Sequence, residues 1–540
     1  MLTDRITRSL LASLCLWAQS TLAQSAPGTP LLALGGGSQP SGDVTQRPFD
    51  TARLDTFVQR MMKEYGVPGV GLAVVENGRI QYVKGYGVRD VTTRAPVTST
   101  TQFAIGSVTK SFTALGMMVL VGDGLVNLDA PVTTYLPEFR LSNPASTRTV
   151  TVRHLLTHSS GLVRTDASTF NPALTAKDII KAAATTPLVG KPGATFVYSN
   201  VNTILAGEII RRVSGQPWAV FIRQRVLKPL GMNTATLSIA ELKKQADIAV
   251  PHEADVKNGG LRPTQYLTLG ADAPAGAVNA NAAEMARYVQ FQLGDGTPLL
   301  SQASLNEMHR GQITAPDFNL SGVFAKQAET IAPRSAKVPA SLVTDERYGF
   351  YWGVETFLGQ QLVHHGGNVT GETANITLLP KQHSGVVILA NVEGANTFME
   401  AVRLHVAEML LGRSGPDTNA VLQQQLKYLR QDNITQAADR LAARTYTPHP
   451  TELNTLAGTY RSLTDDKPTR ISVVDKRTIK LESGFQGVRF SVNLLPLGKN
   501  RFMATSKPLI GGVFKVTERD GKRNLELETL TGAIPLAVAP

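Results

Sequence analysis

The chain has 540 residues, 42% of them hydrophobic and 18% charged, enough apolar surface for a large core and more than one domain, which excludes a disordered protein. Its 54 Lys and Arg against 42 Asp and Glu give a formal net charge of +12. These basic residues are scattered, with no dense run interleaved with aromatics, so the charge reads as a solvated surface and argues against nucleic-acid binding.

Arg5 and Arg8 precede an apolar stretch at residues 10–22, and Thr21 and Ala23 are the small residues a signal peptidase requires. Residues 1–23 are therefore expected to be a secretory signal peptide, with export to the periplasm or the medium. The stretch is interrupted by Ser13, Gln19 and Ser20 and is short for a membrane span, and no later segment is apolar enough to cross one. Cys15, the only cysteine, lies inside the signal, preceded by Leu14 where lipoprotein processing would need a small residue. The mature chain would then have no disulfide, thiol nucleophile or thiolate metal site. Residues 24–48, rich in Gly, Pro and Ser, are expected to be a disordered linker.

Order is expected from Phe49, where Leu54, Val58 and Met61/Met62 have helical spacing. Residues 69–87 form two β-rich runs joined by Asn77-Gly78, a hairpin signal. From about residue 100 to 301 the pattern is helical and loop-like, and residues 348–392 return to strands: YGFYWGVETF, QQLVHHGG, TANITLLP and GVVILANV. Strands at both ends with helices between predict one antiparallel sheet completed late in the chain. Past a helix ending near Leu411, SGPDT marks a boundary, and Leu422, Leu426 and Leu429 predict a connecting helix. Beyond Leu456, short alternating runs such as RISVVDKRTIKLES and VRFSVNLL predict a small β-domain, a barrel or a sandwich.

Three motifs carry chemistry. In FAIGSVTKSFTALGMMVLVGDG, Ser107 and Lys110 stand three apart, with Phe112, Leu115 and Val119 supplying a buried helical face. A serine hydroxyl needs a nearby base to become a nucleophile, and a partly buried lysine can serve. The bland alternative is a helix-capping serine beside a surface lysine. In KPGATFVYSNVNTILAGEII, Tyr198 and Asn200 are two apart, where a phenol could relay a proton and a carboxamide could bind lysine or substrate. The alternative there is a packed tyrosine and a helix-capping asparagine. In LVHHGGNVTGETANITLLP, His364 and His365 precede Gly366 and Gly367, on a strand that a substrate backbone could approach closely. Metal binding by the histidine pair is disfavoured, because adjacent strand residues face opposite ways and no further ligand stands at the required spacing.

Together S-x-x-K, Y-x-N and H-x-G resemble the serine β-lactamase and penicillin-binding-protein superfamily: class C β-lactamases, DD-peptidases, D-aminopeptidases and related esterases. LLTHSSGL (155–162) and PAGAVNANAAEMARYVQF (274–291) are similar to that family's segments too, and the resemblance covers residues 49–411. A glycine four residues past the third motif is common in the family. Gly371 therefore selects His365-Gly366-Gly367 as the motif and leaves His364 a neighbour. The motif departs from the Lys-Thr-Gly of class C β-lactamases towards the His-x-Gly of peptidases, moving the expected substrate away from antibiotics.

The resemblance implies an α/β sandwich, an antiparallel sheet flanked by helices with a mostly helical subdomain and the active site in the cleft between. With the boundary and strand signals above, residues 49–413 are expected to form this domain, 414–450 a linker and connecting helix, and 451–540 a C-terminal β-domain, barrel-like or lipocalin-like. The resemblance makes Ser107 the nucleophile, Lys110 and Tyr198 a shared base, and Asn200 the group orienting lysine and substrate amide. The backbone N–H groups of Ser107 and Asn368 would form the oxyanion hole, Gly366 and Gly367 the substrate strand, and His365 a source of hydrogen bonding or positive potential near the leaving group. No cofactor or metal is implied. The expected partner is a small-molecule or short-peptide substrate, with peptidase or amidase activity first, an esterase or weak β-lactamase second, and an inactive envelope-ligand binder third. Cleft walls would come from loops such as residues 311–343.

Overall fold

The computed structural model describes residues 49–540 apart from 165–172, 256–259, 295–298, 317, 333–334, 414, 416, 429–447, 463–467, 477, 486–487, 499, 505–512, 520–521, 530–531 and 539–540. The expected signal peptide and linker, and Leu429, lie outside the described residues.

Helix α1 (Thr51–Tyr65) buries Leu54, Phe57, Val58, Met61 and Met62 along one stripe. Asp50 caps its start by accepting from the Arg53 N–H at 2.9 Å, and Gly66, at φ 68°, ends it in the left-handed conformation. Strands β1 (Gly69–Glu76) and β2 (Arg79–Gly87) form the expected hairpin, with Asn77 and Gly78 both at positive φ. The remaining strands of the sheet come late: β3 (Ile313–Thr314), β4 (Thr344–Tyr348), β5 (Gly353–Phe357), β6 (Gln360–Val369), β7 (Glu372–Leu379) and β8 (Ser384–Ala390). Their order is β2-β1-β8-β7-β6-β5-β4-β3, antiparallel throughout.

Alternation along the central strands builds a layered sandwich. Val70, Leu72 and Val74 of β1, with Val386 and Ile388 of β8, pack with α1 and with a late helix (Asn396–Leu410) in one core cluster. Ala73 and Val75, with Val387 and Leu389, belong to the other cluster, shared with the helical region inserted between β2 and β3. At the centre of that region is a helix over Thr109–Gly122, buried nearly all round and including Phe112, Leu115 and Val119. Its polar side chains find partners: Thr113 bonds the Pro274 carbonyl and the Trp218 indole N–H, and Ser111 accepts from Tyr288.

Two runs read as single strands are in fact broken. YGFYWGVETF divides after Tyr348, because Tyr351 takes φ 57° between β4 and β5. RISVVDKRTIKLES is a hairpin of Thr469–Val473 with Ile479–Phe485. The predicted connecting helix is present over residues 418–428, and Leu422 and Leu426 pack back into the cluster around α1.

At the C-terminus eight antiparallel strands, from Gly458–Ser462 to Gly532–Val538, pair in sequence, and the first meets the last through Arg461↔Val538 and Ser462↔Ala537. A barrel, rather than the sandwich alternative, is therefore formed. Its interior holds packed apolar side chains, among them Leu481, Leu494 and Phe514, joined by Leu453 and Leu456 from a short helix over Pro450–Leu456.

Candidate active site

Ser107 lies on a 3-10 turn (Gly106–Val108) that runs directly into the Thr109–Gly122 helix. It does not cap that helix: Val108 occupies the cap position, with no side-chain capping bond. Lys110, 0% exposed, is not a surface lysine. Its Nζ donates to Ser107 Oγ at 3.0 Å and to the Ala275 carbonyl at 3.2 Å. Burying an amine is costly unless it is bonded, so this lysine is held where solubility gives no reason for it. Both halves of the bland alternative for the first motif fail on these observations.

Tyr198 is partly exposed, with the Lys110 Nζ 4.9 Å from its ring centroid and the Arg164 guanidinium carbon 5.8 Å away. Asn200 is the first residue of the helix over Asn200–Ser214, so the cap position belongs to Ser199 and not to the asparagine. The second motif thus meets the first at the lysine, across the face of the tyrosine ring.

The third motif sits on β6, and its two histidines face opposite ways as the strand pleat requires. His364 Nε2 stands 3.1 Å from the Glu355 carboxylate. His365 lies on the Tyr198 side, ring centroids 6.1 Å apart. Its Nδ1 is 2.6 Å from the Gly366 carbonyl, which can only accept, so Nδ1 carries the proton. Nε2 then accepts from the Tyr348 hydroxyl at 3.0 Å. Burial, with the Lys110 ammonium adding to it, pushes the imidazole down to about 3. Burial thus opposes the positive potential expected of His365, and both ring nitrogens are already engaged by the protein.

The glycines of the motif have separate reasons. A side chain on Gly366 would meet nothing closer than the Ala374 carbonyl at 4.0 Å, whereas one on Gly367 would come 2.0 Å from the Ile105 carbonyl. One on Gly106, at φ 51°, would come 2.8 Å from the Asn368 nitrogen. The Gly367 restriction comes from the protein's own backbone and not from a substrate. Its effect is to lay the Gly367-Asn368 peptide against Ile105-Ser107, so the backbone nitrogens of Ser107 and Asn368 belong to adjoining segments.

Several site residues carried no recognised role in the sequence. His158, in LLTHSSGL, is fully buried with its ring 4.6 Å from Tyr198, and burial beside Lys110 holds it well below the usual imidazole range. Tyr348 and Phe318 approach His365 from β4 and from the loop before the Leu320–Ile331 helix. Among the described residues no group of three or more His, Cys, Asp or Glu could hold a metal ion.

The Beta-lactamase family model matches residues 54–410, a span that contains all three motifs. The chain belongs to the Beta-lactamase family. Protein flp of Staphylococcus aureus (strain MW2) is 28% identical over 343 residues, 63% of each chain. Unguisins hydrolase ungD of Aspergillus violaceofuscus is 25% identical over 375 residues, 67% of this chain and 64% of that one. The chain thus matches under two thirds of the length of these curated relatives. Among solved structures, the octameric penicillin-binding protein homologue from Pyrococcus abyssi aligns over 91% of this chain and 100% of its own, with TM-score 0.57 and 25% identity. A class C β-lactamase aligns over 67% of this chain and 96% of its own, with TM-score 0.53 and 21% identity, a likeness of fold. Beta-lactamase family members are serine hydrolases, and Ser107, Lys110, Tyr198, Asn200 and His365 all fall inside the matched span.

Proposed function

We propose that this Beta-lactamase family member is an exported serine hydrolase that cleaves amide bonds of small peptides through an acyl-enzyme on Ser107. The single observation that carries the reading is the buried Lys110 amine, 3.0 Å from Ser107 Oγ. Ser107 Oγ attacks the substrate carbonyl, and its proton passes to the pair formed by Lys110 and Tyr198. That pair returns the proton to the leaving group as the carbon–nitrogen bond breaks. Water then adds to the acyl-enzyme, and its hydrolysis releases the acid and restores Ser107. Asn200 orients the lysine and the substrate amide. His365 acts as a neutral spacer that fixes Tyr348 and the Gly366 carbonyl, not as a donor to the leaving group. Export follows from residues 1–23, read as a signal peptide.

The developing oxyanion would be met by the backbone N–H groups of Ser107 and Asn368. Gly367→Ala, whose new methyl would strike the Ile105 carbonyl, is expected to part these segments and lower kcat/KM by about 10²-fold or more. Steady-state kinetics beside a melting curve checks this; a folded variant of unchanged kcat/KM removes Asn368 from the role.

Esterase or weak β-lactamase activity is the second reading, because the same nucleophile would accept an activated ester or a lactam. The neutral His365, where β-lactamases of the class C type carry lysine, favours peptides and esters over carboxylate-bearing antibiotics. A panel of D- and L-aminoacyl amides, short p-nitrophenyl esters and nitrocefin separates these activities. Turnover of the amides is expected; turnover of nitrocefin alone would reverse the order. No turnover together with no fluorophosphonate labelling would favour a binding protein.

A further inference from the structure

An aromatic wall beside Tyr198 and His365 is unused by the chemistry above. Phe318, partly exposed, has its ring centroid 5.9 Å from Tyr198 and 5.4 Å from His365. It therefore bridges the helical side of the cleft, which supplies Tyr198, and the sheet side, which supplies His365. Tyr348, fully buried, backs the ring at 4.7 Å, and half-buried Phe196 lies at 6.0 Å.

Side chains remote from the reacting atoms anchor the segment that follows this ring. Asn319 caps the following helix by accepting from the Ser321 N–H at 2.7 Å, and the Ser321 hydroxyl donates to the buried Glu400 carboxylate. Arg403 clamps Glu400 through Nε and Nη2, both at 2.6 Å, and reaches Glu355 through Nη1 at 2.7 Å. Glu355 in turn meets His364, so one buried network ties the Phe318 segment to the strand that carries His365. Gly353 leaves the room required: a side chain there would come 2.5 Å from Phe318 and 2.8 Å from His364. A partly exposed aromatic ring on a segment anchored this way, beside Tyr198 and His365, is a preformed apolar surface for a substrate group.

We propose that Phe318 determines the specificity of the site: its ring packs against an aromatic or branched aliphatic group adjoining the scissile bond, making such amides and esters the preferred substrates. This rests on Ser107 being the nucleophile. A substrate group that packs on such an apolar ring is favoured over one that leaves it bare by about tenfold or more.

The experiment compares wild type, Phe318→Ala and Phe318→Leu on matched substrate pairs. One pair differs by phenylalanyl against glycyl on the acyl side, the other by phenylalaninamide against glycinamide as leaving group. Wild type is expected to favour the aromatic member of at least one pair by about tenfold in kcat/KM, mainly through KM. Phe318→Ala should bring that ratio close to one, and Phe318→Leu should restore part of it. No preference in wild type, or a ratio unchanged in both variants, overturns the proposal. Fluorophosphonate labelling at Ser107 is read in parallel: labelling without aromatic preference defeats the specificity assignment alone, whereas loss of labelling in wild type defeats the hydrolase reading beneath it.

Discussion

Ser107→Ala is expected to lower kcat by about 10⁴-fold or more on every substrate the wild type turns over, and to abolish fluorophosphonate labelling. The substitution deletes the hydroxyl proposed to take up the acyl group, while Lys110, Tyr198 and the two backbone donors stay in place. Residual activity would come from binding and the oxyanion donors alone. Stability should change far less. Ser107 is partly exposed, and the loss falls on Lys110, which keeps its bond to the Ala275 carbonyl but gives up its hydroxyl partner. A single unmade bond to a buried polar group costs about 1–3 kcal/mol. Intact-mass spectrometry after labelling, with a melting curve on the same sample, checks both halves. An adduct of equal yield in the alanine variant would move the nucleophile to another residue.

Local features of the sequence predicted the elements whose causes are local. The stripe of Leu54, Val58 and Met61 forms a helix because its spacing buries one face, and Asn77-Gly78 turns a hairpin because both residues accept positive φ. Opposite facing of His364 and His365 followed from the strand pleat alone. Spacing could not show that Lys110 is buried, since the Ala275 carbonyl that satisfies it comes from a segment far along the chain. Nor could it show that His365 is neutral: that depends on Tyr348, across the broken run that looked like one strand, and on the depth of the site. Phe318 carried no signal, because a lone phenylalanine in a loop becomes part of a site only through what the fold brings against it. The network behind it joins Glu355, Glu400 and Arg403, whose charges would each read as a solvated face in sequence.

Arg403→Ala is expected to be the most destabilising of these substitutions, by about 3–5 kcal/mol at neutral pH, because it leaves two buried carboxylates without their counter-ion. Arg403 is 0% exposed, with Glu355 and Glu400 also buried. Burial alone would raise the Glu355 carboxyl, but Arg403 and then His364 outweigh it and hold it at about 2, below its ordinary 4.5. A carboxyl lowered on folding contributes stability that is complete above its unfolded value and lost as pH falls from 4.5 towards 2. In Arg403→Ala the larger part of that lowering disappears, and burial, opposed at Glu355 by His364 alone, then shifts the balance towards the protonated acid. Acid should therefore weaken the wild type through this group while relieving the variant, so the gap between them narrows from pH 7 to pH 4. Urea-unfolding midpoints at the two pH values measure it. A deficit of similar size at both would mean that lost packing around the guanidinium, and not uncompensated charge, is what the variant suffers.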